Sequence, residues 1–149
     1  MNLDEATLTE ETLAECLAVP RWVAAVLDGR PYDSPEALYA LAEREAATLT
    51  AEEVGLALAG HPRIGDKTGS ATSRAEQAGV DNADEFLAAN REYEQRFDRI
   101  YLVCAAGRGG DELLADLRRR LGNDPDTELA VTVRELGKIA LLRLRKAVS

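Results

Sequence analysis

A single imidazole sets the terms for any chemistry this chain performs, because His61 is the only histidine among 149 residues. It opens the stretch HPRIGDKTGSAT, residues 61–72, which is polar and holds two glycines and a proline. Loops of this kind on a rigid scaffold carry function disproportionately. Imidazole titrates close to neutral pH, so His61 can donate or accept a proton under working conditions. Just beyond the loop, Ser73, Glu76 and Gln77 stand at i, i+3 and i+4. On a helix that spacing puts a hydroxyl, a carboxylate and an amide on one face. Ser73-x-x-Glu76 also reads as a capping box, which stabilises a helix start by about 1 kcal/mol and does no chemistry.

A fifth group comes from the C-terminal segment. At 100° per residue from Leu129, the side chains of Val133, Leu136, Ala140, Leu144 and Ala147 fall within about 60° of one line. Arg143 falls inside that apolar stripe at about −40°, whereas Arg134, Lys138 and Arg145 gather on the opposite face. A guanidinium on the core side must find partners, since an unpaired buried charge is prohibitive. It can do so as a structural ion pair, by snorkelling to the rim, or by gripping a planar anion or carbonyl with paired donors. No zinc site is expected: one histidine with Cys16 and Cys104, and no CxxC spacing, cannot supply the ligand set. GxGxxG, P-loop, GxSxG and HExxH patterns are absent, which removes dinucleotide binding, Walker NTPases, serine-elbow hydrolases and zincins.

The elements that must hold these groups are helices. Alanine and leucine far outnumber valine and isoleucine, a balance that favours helix over sheet. Pro20 opens a segment that Gly29 closes. Ser34-Pro35 supplies an N-cap and a first-turn proline. Thr50-Ala51-Glu52-Glu53 is a capping box for a helix ended by Gly60. Asp81 starts a long segment, and Asp124-Pro125 starts the last. The expected fold is an all-α, compact single-domain bundle of seven to eight helices spanning residues 1–149. Ile100-Tyr101-Leu102-Val103-Cys104 breaks the pattern, and periodicity leaves it open between helix and a short extended pass.

Charge narrows the partners. The net charge is −9, and all of it falls in residues 1–60, which argues against nucleic-acid or anionic-membrane binding. No apolar run is long enough to span a bilayer. The N-terminal residues form no secretory signal, and RKAVS at the C-terminus is no peroxisomal or lipidation address. The cytoplasm is expected, with both cysteines as buried reduced thiols.

Taken together, the residues resemble a known family. Gly60-His61-Pro62-Arg63-Ile64-Gly65-Asp66-Lys67 and Ser73-Arg74-Ala75-Glu76-Gln77-Ala78-Gly79 are similar to the two signature blocks of the 2-oxo-4-hydroxy-4-carboxy-5-ureidoimidazoline (OHCU) decarboxylases of urate degradation. The likeness continues through Asn90-x-x-Tyr93-x-x-x-Phe97, Arg120-Leu121-x-Asn123, Glu128-Leu129 and Lys138-Ile139-x-x-Leu142-Arg143-Leu144. Pro20-Arg21-Trp22-Val23 also looks like the family's N-terminal segment. The resemblance implies an all-α, homodimeric, cofactor-free carboxy-lyase that makes S-allantoin from OHCU. It further implies His61 as catalytic group with Glu76 as its acidic partner. Pro62, Ser73, Gln77 and Arg143 would hold substrate, helped by backbone groups from Val103 to Gly107. The sequence departs from the family where Gly and an aromatic usually follow the Tyr-x-x-x-Phe pattern, since Asp98-Arg99-Ile100-Tyr101 stand there. Two other readings of these residues remain: another small-molecule lyase or hydrolase using the same His–Glu pair, and a helical interaction module whose His61 only caps a loop.

Overall fold

Four helix starts in this chain are set by short polar side chains that accept hydrogen bonds from otherwise orphaned backbone N–H groups. In the computed structural model, which describes residues 8–59 and 83–148, seven helices account for the regular structure and no strand occurs among the described residues. They are α1 (Glu10–Cys16), α2 (Pro20–Asp28), α3 (Pro35–Ala46), α4 (Ala51–Leu58), α5 (Ala83–Phe97), α6 (Gly110–Arg120) and α7 (Pro125–Val148). Thr9 Oγ1 accepts from Thr12 N–H at 3.1 Å, Ser34 Oγ from Ala37 N–H at 3.2 Å, and Asp124 Oδ1 from Thr127 N–H at 2.7 Å. The Thr50 box is reciprocal: Glu53 N–H donates to Thr50 Oγ1 at 3.2 Å, and Thr50 N–H donates to Glu53 Oε1 at 3.0 Å. Gly29 caps α2, as its position after Leu27-Asp28 predicts. Gly60 as a helix end, Asp81 as a helix start, the His61 loop and the Ser73 helix lie outside the described residues.

The chain divides into two compact units: Met1–Ala57 with Val133–Ser149, and Leu58–Thr132. In the first, Trp22, Val23 and Val26 form the buried stripe of α2, and Leu38, Ala42 and Ala46 that of α3. Trp22 Nε1 donates to the Ala42 carbonyl at 3.0 Å, so the indole is buried with its polar edge satisfied. Arg21 beside it donates through Nε to Glu53 Oε2 at 2.7 Å and through Nη1 to Glu45 Oε2 at 3.2 Å. The Pro20-Arg21-Trp22-Val23 segment is therefore a staple that joins α2, the end of α3 and the start of α4.

In the second unit Phe86, Tyr93, Phe97, Tyr101, Val103, Leu113, Leu114 and Leu117 form one core cluster. The segment left open by periodicity is not helical but an irregular pass. Helix α5 stops at Phe97, Asp98 takes φ 56°, and residues 101–105 carry no helix. The left-handed residue turns the chain out of the helix.

The apolar stripe of α7 is slightly displaced from the expected one. Val133, Leu136, Ala140 and Leu144 are buried as expected, but Leu129 is only half-buried and Ala147 is exposed, while Ile139 and Val148 are buried instead. Over 24 residues a fixed 100° step accumulates error, and the i, i+4 row from Leu136 through Ala140 and Leu144 to Val148 is the one followed. Arg134, Lys138 and Arg145 are exposed, as the arithmetic requires. Among the described residues no helix is long and apolar enough to cross a membrane.

Candidate functional site

Three of the eight expected site residues fall within the described structure. His61, Pro62, Ser73, Glu76 and Gln77 lie outside the described residues; Val103 and Gly107 belong to the second unit and Arg143 to the first.

Val103 and Gly107 are the two ends of a short irregular pass. The Val103 side chain belongs to the core cluster, so any chemistry it offers a ligand is that of its main chain. Burial then falls along the pass: Cys104 and Ala105 are half-buried, Ala106 and Gly107 exposed. Arg108 N–H donates to the Ala105 carbonyl at 3.1 Å, closing a turn in which Gly107 takes φ 77°. Positive φ at the third residue of a turn favours glycine for its lack of Cβ. A Cβ there would meet nothing, so the dihedral rather than space demands the glycine.

Arg143 is half-buried, and its Nη1 donates to the Glu15 carbonyl at 3.3 Å. That carbonyl belongs to the last turn of α1, where a cation complements the negative end of the helix. Cys16 lies next in sequence, and burial pushes its thiol up to about 11 despite the opposing charge of Arg143. Arg145 sits on the other face, with its guanidinium carbon 4.8 Å from the Tyr39 ring centroid.

The residues that sequence reasoning missed as a group are ionic and buried. Arg120 is 2% exposed. Its Nε donates to Glu128 Oε1 at 2.7 Å, and its Nη2 lies 2.5 Å from the same oxygen. Nη2 also donates to Thr132 Oγ1 at 3.3 Å, and Nη1 stands 3.6 Å from Asp116 Oδ2. Nη1 further donates to the Leu102 carbonyl at 2.7 Å. The guanidinium carbon is 4.7 Å from the Tyr101 ring centroid and 6.0 Å from that of Tyr93, within cation–π range. Tyr93 donates its hydroxyl to Glu128 Oε1 and Tyr101 donates to Asp116 Oδ2, each at 2.5 Å. Asn123 Nδ2 completes Glu128 at 3.0 Å, and Arg119 pairs with Asp116 from the rim.

Burial and the neighbouring carboxylates act on the protons of Arg120, Tyr93 and Tyr101. Burial pulls the Arg120 guanidinium toward neutrality, but the hydrogen bond and charge of Glu128 outweigh it and hold the proton more tightly than usual. Burial, then the Glu128 carboxylate, pushes Tyr93 up to about 12, and burial with Asp116 raises Tyr101 further still. The hydroxyls thus stay protonated as donors. Such a network fixes the positions of the groups that share it. The signal for it was available, since Arg120 lies about 20° from Leu113 on the 100° wheel, within the α6 apolar stripe. Among the described residues no group of three or more His, Cys, Asp or Glu side chains is placed to hold a metal ion.

Comparisons with known proteins converge. A family model described as OHCU decarboxylase matches residues 2–145. A 2-oxo-4-hydroxy-4-carboxy-5-ureidoimidazoline decarboxylase from Amia calva is 33% identical over 142 residues, covering 87% of this chain and 81% of its own length. A uric acid degradation bifunctional protein from Bacillus sp. (strain TB-90) is 25% identical over 134 residues, which are 27% of its length. Among solved structures, an OHCU decarboxylase crystallised in the presence of (S)-allantoin superposes with a TM-score of 0.78 at 26% identity, covering 93% of this chain and 96% of the other.

Proposed function

The chain belongs to the OHCU decarboxylase family, and from that premise we infer that it converts OHCU to S-allantoin in urate degradation. It is a carboxy-lyase. The observation that carries this reading is the family match over residues 2–145, with a decarboxylase from Amia calva 33% identical across four-fifths of its own length.

The reaction places modest demands on the protein. OHCU carries a hydroxyl and a carboxylate on one ring carbon beside a C=N bond. When the carboxylate leaves as CO2, its bonding pair flows toward the C=N and the nitrogen gains a proton. The resulting enol loses its hydroxyl proton, and the adjacent carbon gains one to give allantoin. The substrate thus contains the electron sink that a cofactor provides elsewhere, and no cofactor is proposed. The protein orients the carboxylate, moves protons and restricts the final protonation to one face.

In this reading His61 is the proton-handling group and Glu76 sets its tautomer. Pro62, Ser73, Gln77 and Arg143 hold substrate, with main-chain groups from Val103 to Gly107. Arg143 already keeps one guanidinium nitrogen on the Glu15 carbonyl, which orients its fork. We take the chain to act as a single domain over residues 1–149, as a homodimer, in the cytoplasm, and without a nucleic-acid or membrane partner.

The test is to supply freshly made OHCU and follow the optical activity of allantoin. Turnover well above the spontaneous rate is expected. His61→Asn should reduce it at least ~100-fold, the usual scale for loss of a general acid–base group. A folded His61→Asn protein with normal turnover removes His61 from the mechanism, and no turnover by the unsubstituted chain removes the reaction itself.

A further inference from the structure

A buried arginine between two carboxylates is costly, and replacing such a cluster with apolar side chains is often neutral or stabilising. Three of Arg120's polar partners, Asp116, Glu128 and Thr132, are side chains of α6 and α7. The fourth is different. The Leu102 carbonyl is main chain in a pass that has neither helix nor sheet to satisfy it, and Arg120 Nη1 meets it at 2.7 Å. The preceding residue is fixed from the same helix, since Tyr101 donates to Asp116 Oδ2 while its ring lies against the guanidinium. Helix α6 therefore grips two successive residues of the pass, one by side chain and one by backbone. Val103 to Gly107 follow immediately, each within a few residues of the grip, and the turn at Gly107 ends them.

Resting on the decarboxylase reading above, we propose that Arg120 is a positioning residue for the reaction: through the Leu102 carbonyl, seconded by Tyr101 on Asp116, it sets where the Val103–Gly107 backbone meets substrate. The physical requirement is strict. Main-chain donors and acceptors aimed at a ligand must hold their geometry to about half an ångström, and irregular backbone has no ladder to impose that. A rigid, planar, fully paired guanidinium does, because its fork cannot serve Glu128 and Leu102 together in more than one orientation. Tyr93 donates to the same Glu128 oxygen that Arg120 holds and sets its ring edge-on to Tyr101, a contact that phenylalanine at 93 retains, so removing its hydroxyl perturbs Glu128 without removing either grip on the pass.

The test compares three conservative variants of the full chain: Arg120→Lys, Tyr101→Phe and Tyr93→Phe. Each is assayed for kcat and KM with fresh OHCU, for urea stability, and for amide hydrogen exchange in peptides covering residues 101–109. Arg120→Lys and Tyr101→Phe are expected to raise KM at least ~5-fold with little change in kcat, the signature of lost uniform binding. Their 101–109 amides should exchange faster. Tyr93→Phe should lose comparable stability with KM and the exchange of that segment unchanged. Should Arg120→Lys fail to fold, the isosteric Tyr101→Phe variant carries the comparison. Equal KM shifts in all three variants, or none in any, would assign Arg120 to stability alone and overturn the proposal. Unchanged exchange in Arg120→Lys and Tyr101→Phe overturns the grip on the pass independently of activity. Absence of turnover by the unsubstituted chain overturns the decarboxylase reading, and the kinetic part of the proposal with it.

Discussion

Two arginines on one helix let the proposed substrate binding by Arg143 be tested against structural pairing. Arg143 and Arg145 share α7, so propensity and dipole effects are nearly equal for both, yet one is half-buried over the end of α1 and the other is exposed on Tyr39. Lysine at either position keeps the charge. At 143 it loses the fork, and with it the paired bonds a planar ligand would receive. Charge-assisted bonds of that kind contribute ~1.5–3 kcal/mol, so Arg143→Lys should lower kcat/KM roughly 10- to 150-fold. Arg145→Lys should leave it unchanged, since an ammonium also sits on a tyrosine face. If Arg143→Lys melts early but keeps full specific activity while folded, the residue serves only the Glu15 carbonyl. At this scale the sequence was legible wherever one helix's own periodicity sufficed: Arg143 among apolar neighbours was found that way. Arg120 was equally visible on its wheel. What was not legible is that Glu128, Thr132 and the Leu102 carbonyl, on a different helix and an irregular segment, meet it, because contacts 8 to 18 residues apart are set by tertiary packing.

Caps and turn residues made the elements readable, since Ser34, Thr50 and Asp124 act on backbone within three residues of themselves. The end of α5 was less so, because Asp98 is no usual helix terminator. Its φ of 56° costs an L residue energy that glycine does not incur. Asp98→Gly should therefore stabilise the protein by about 0.5–1 kcal/mol in urea titration, and Asp98→Val should destabilise it. Equal stability of all three would mean that the helix ends in another conformation. At the end of α2 the same kind of reasoning gives the opposite sign. Gly29 has φ −76°, where alanine ordinarily gains about 0.4–1 kcal/mol from reduced unfolded-state freedom. A Cβ there, however, would collide with the Tyr32 hydroxyl and crowd Leu41. The hydroxyl cannot swing away freely, for it donates to the Val26 carbonyl at 2.6 Å. Gly29→Ala should cost about 1–3 kcal/mol as overpacking outweighs entropy. A Gly29→Ala, Tyr32→Phe double variant should recover part of that loss, and no recovery would place the clash elsewhere.

For the whole molecule, buried protons couple stability to alkaline pH in both units. Cys16 belongs to the first unit and Tyr93 to the second. In the unfolded chain the thiol gives up its proton near its ordinary value of 9.0, whereas in the folded protein burial holds it to about 11. Tyr93 behaves alike between 10.0 and about 12. Across those windows the unfolded state binds fewer protons than the folded one, so unfolding free energy must fall as pH rises. Below pH 9 both states keep these protons and the groups contribute no slope. Trp22, the only tryptophan, reports on the first unit by fluorescence, and exchange in α5 and α6 peptides reports on the second. Urea midpoints should be level from these groups between pH 7.5 and 8.5 and then decline. Cys16→Ala should flatten the decline between 9 and 11 while leaving the later, tyrosine-dependent part in place. Parallel declines for Cys16→Ala and the unsubstituted chain would show that the thiol is not protected by folding. The two probes also test the single-domain proposal, because coincident transitions are the mark of one cooperative unit. If fluorescence and exchange report midpoints that separate as pH is raised, the units unfold independently and the chain holds two domains rather than one.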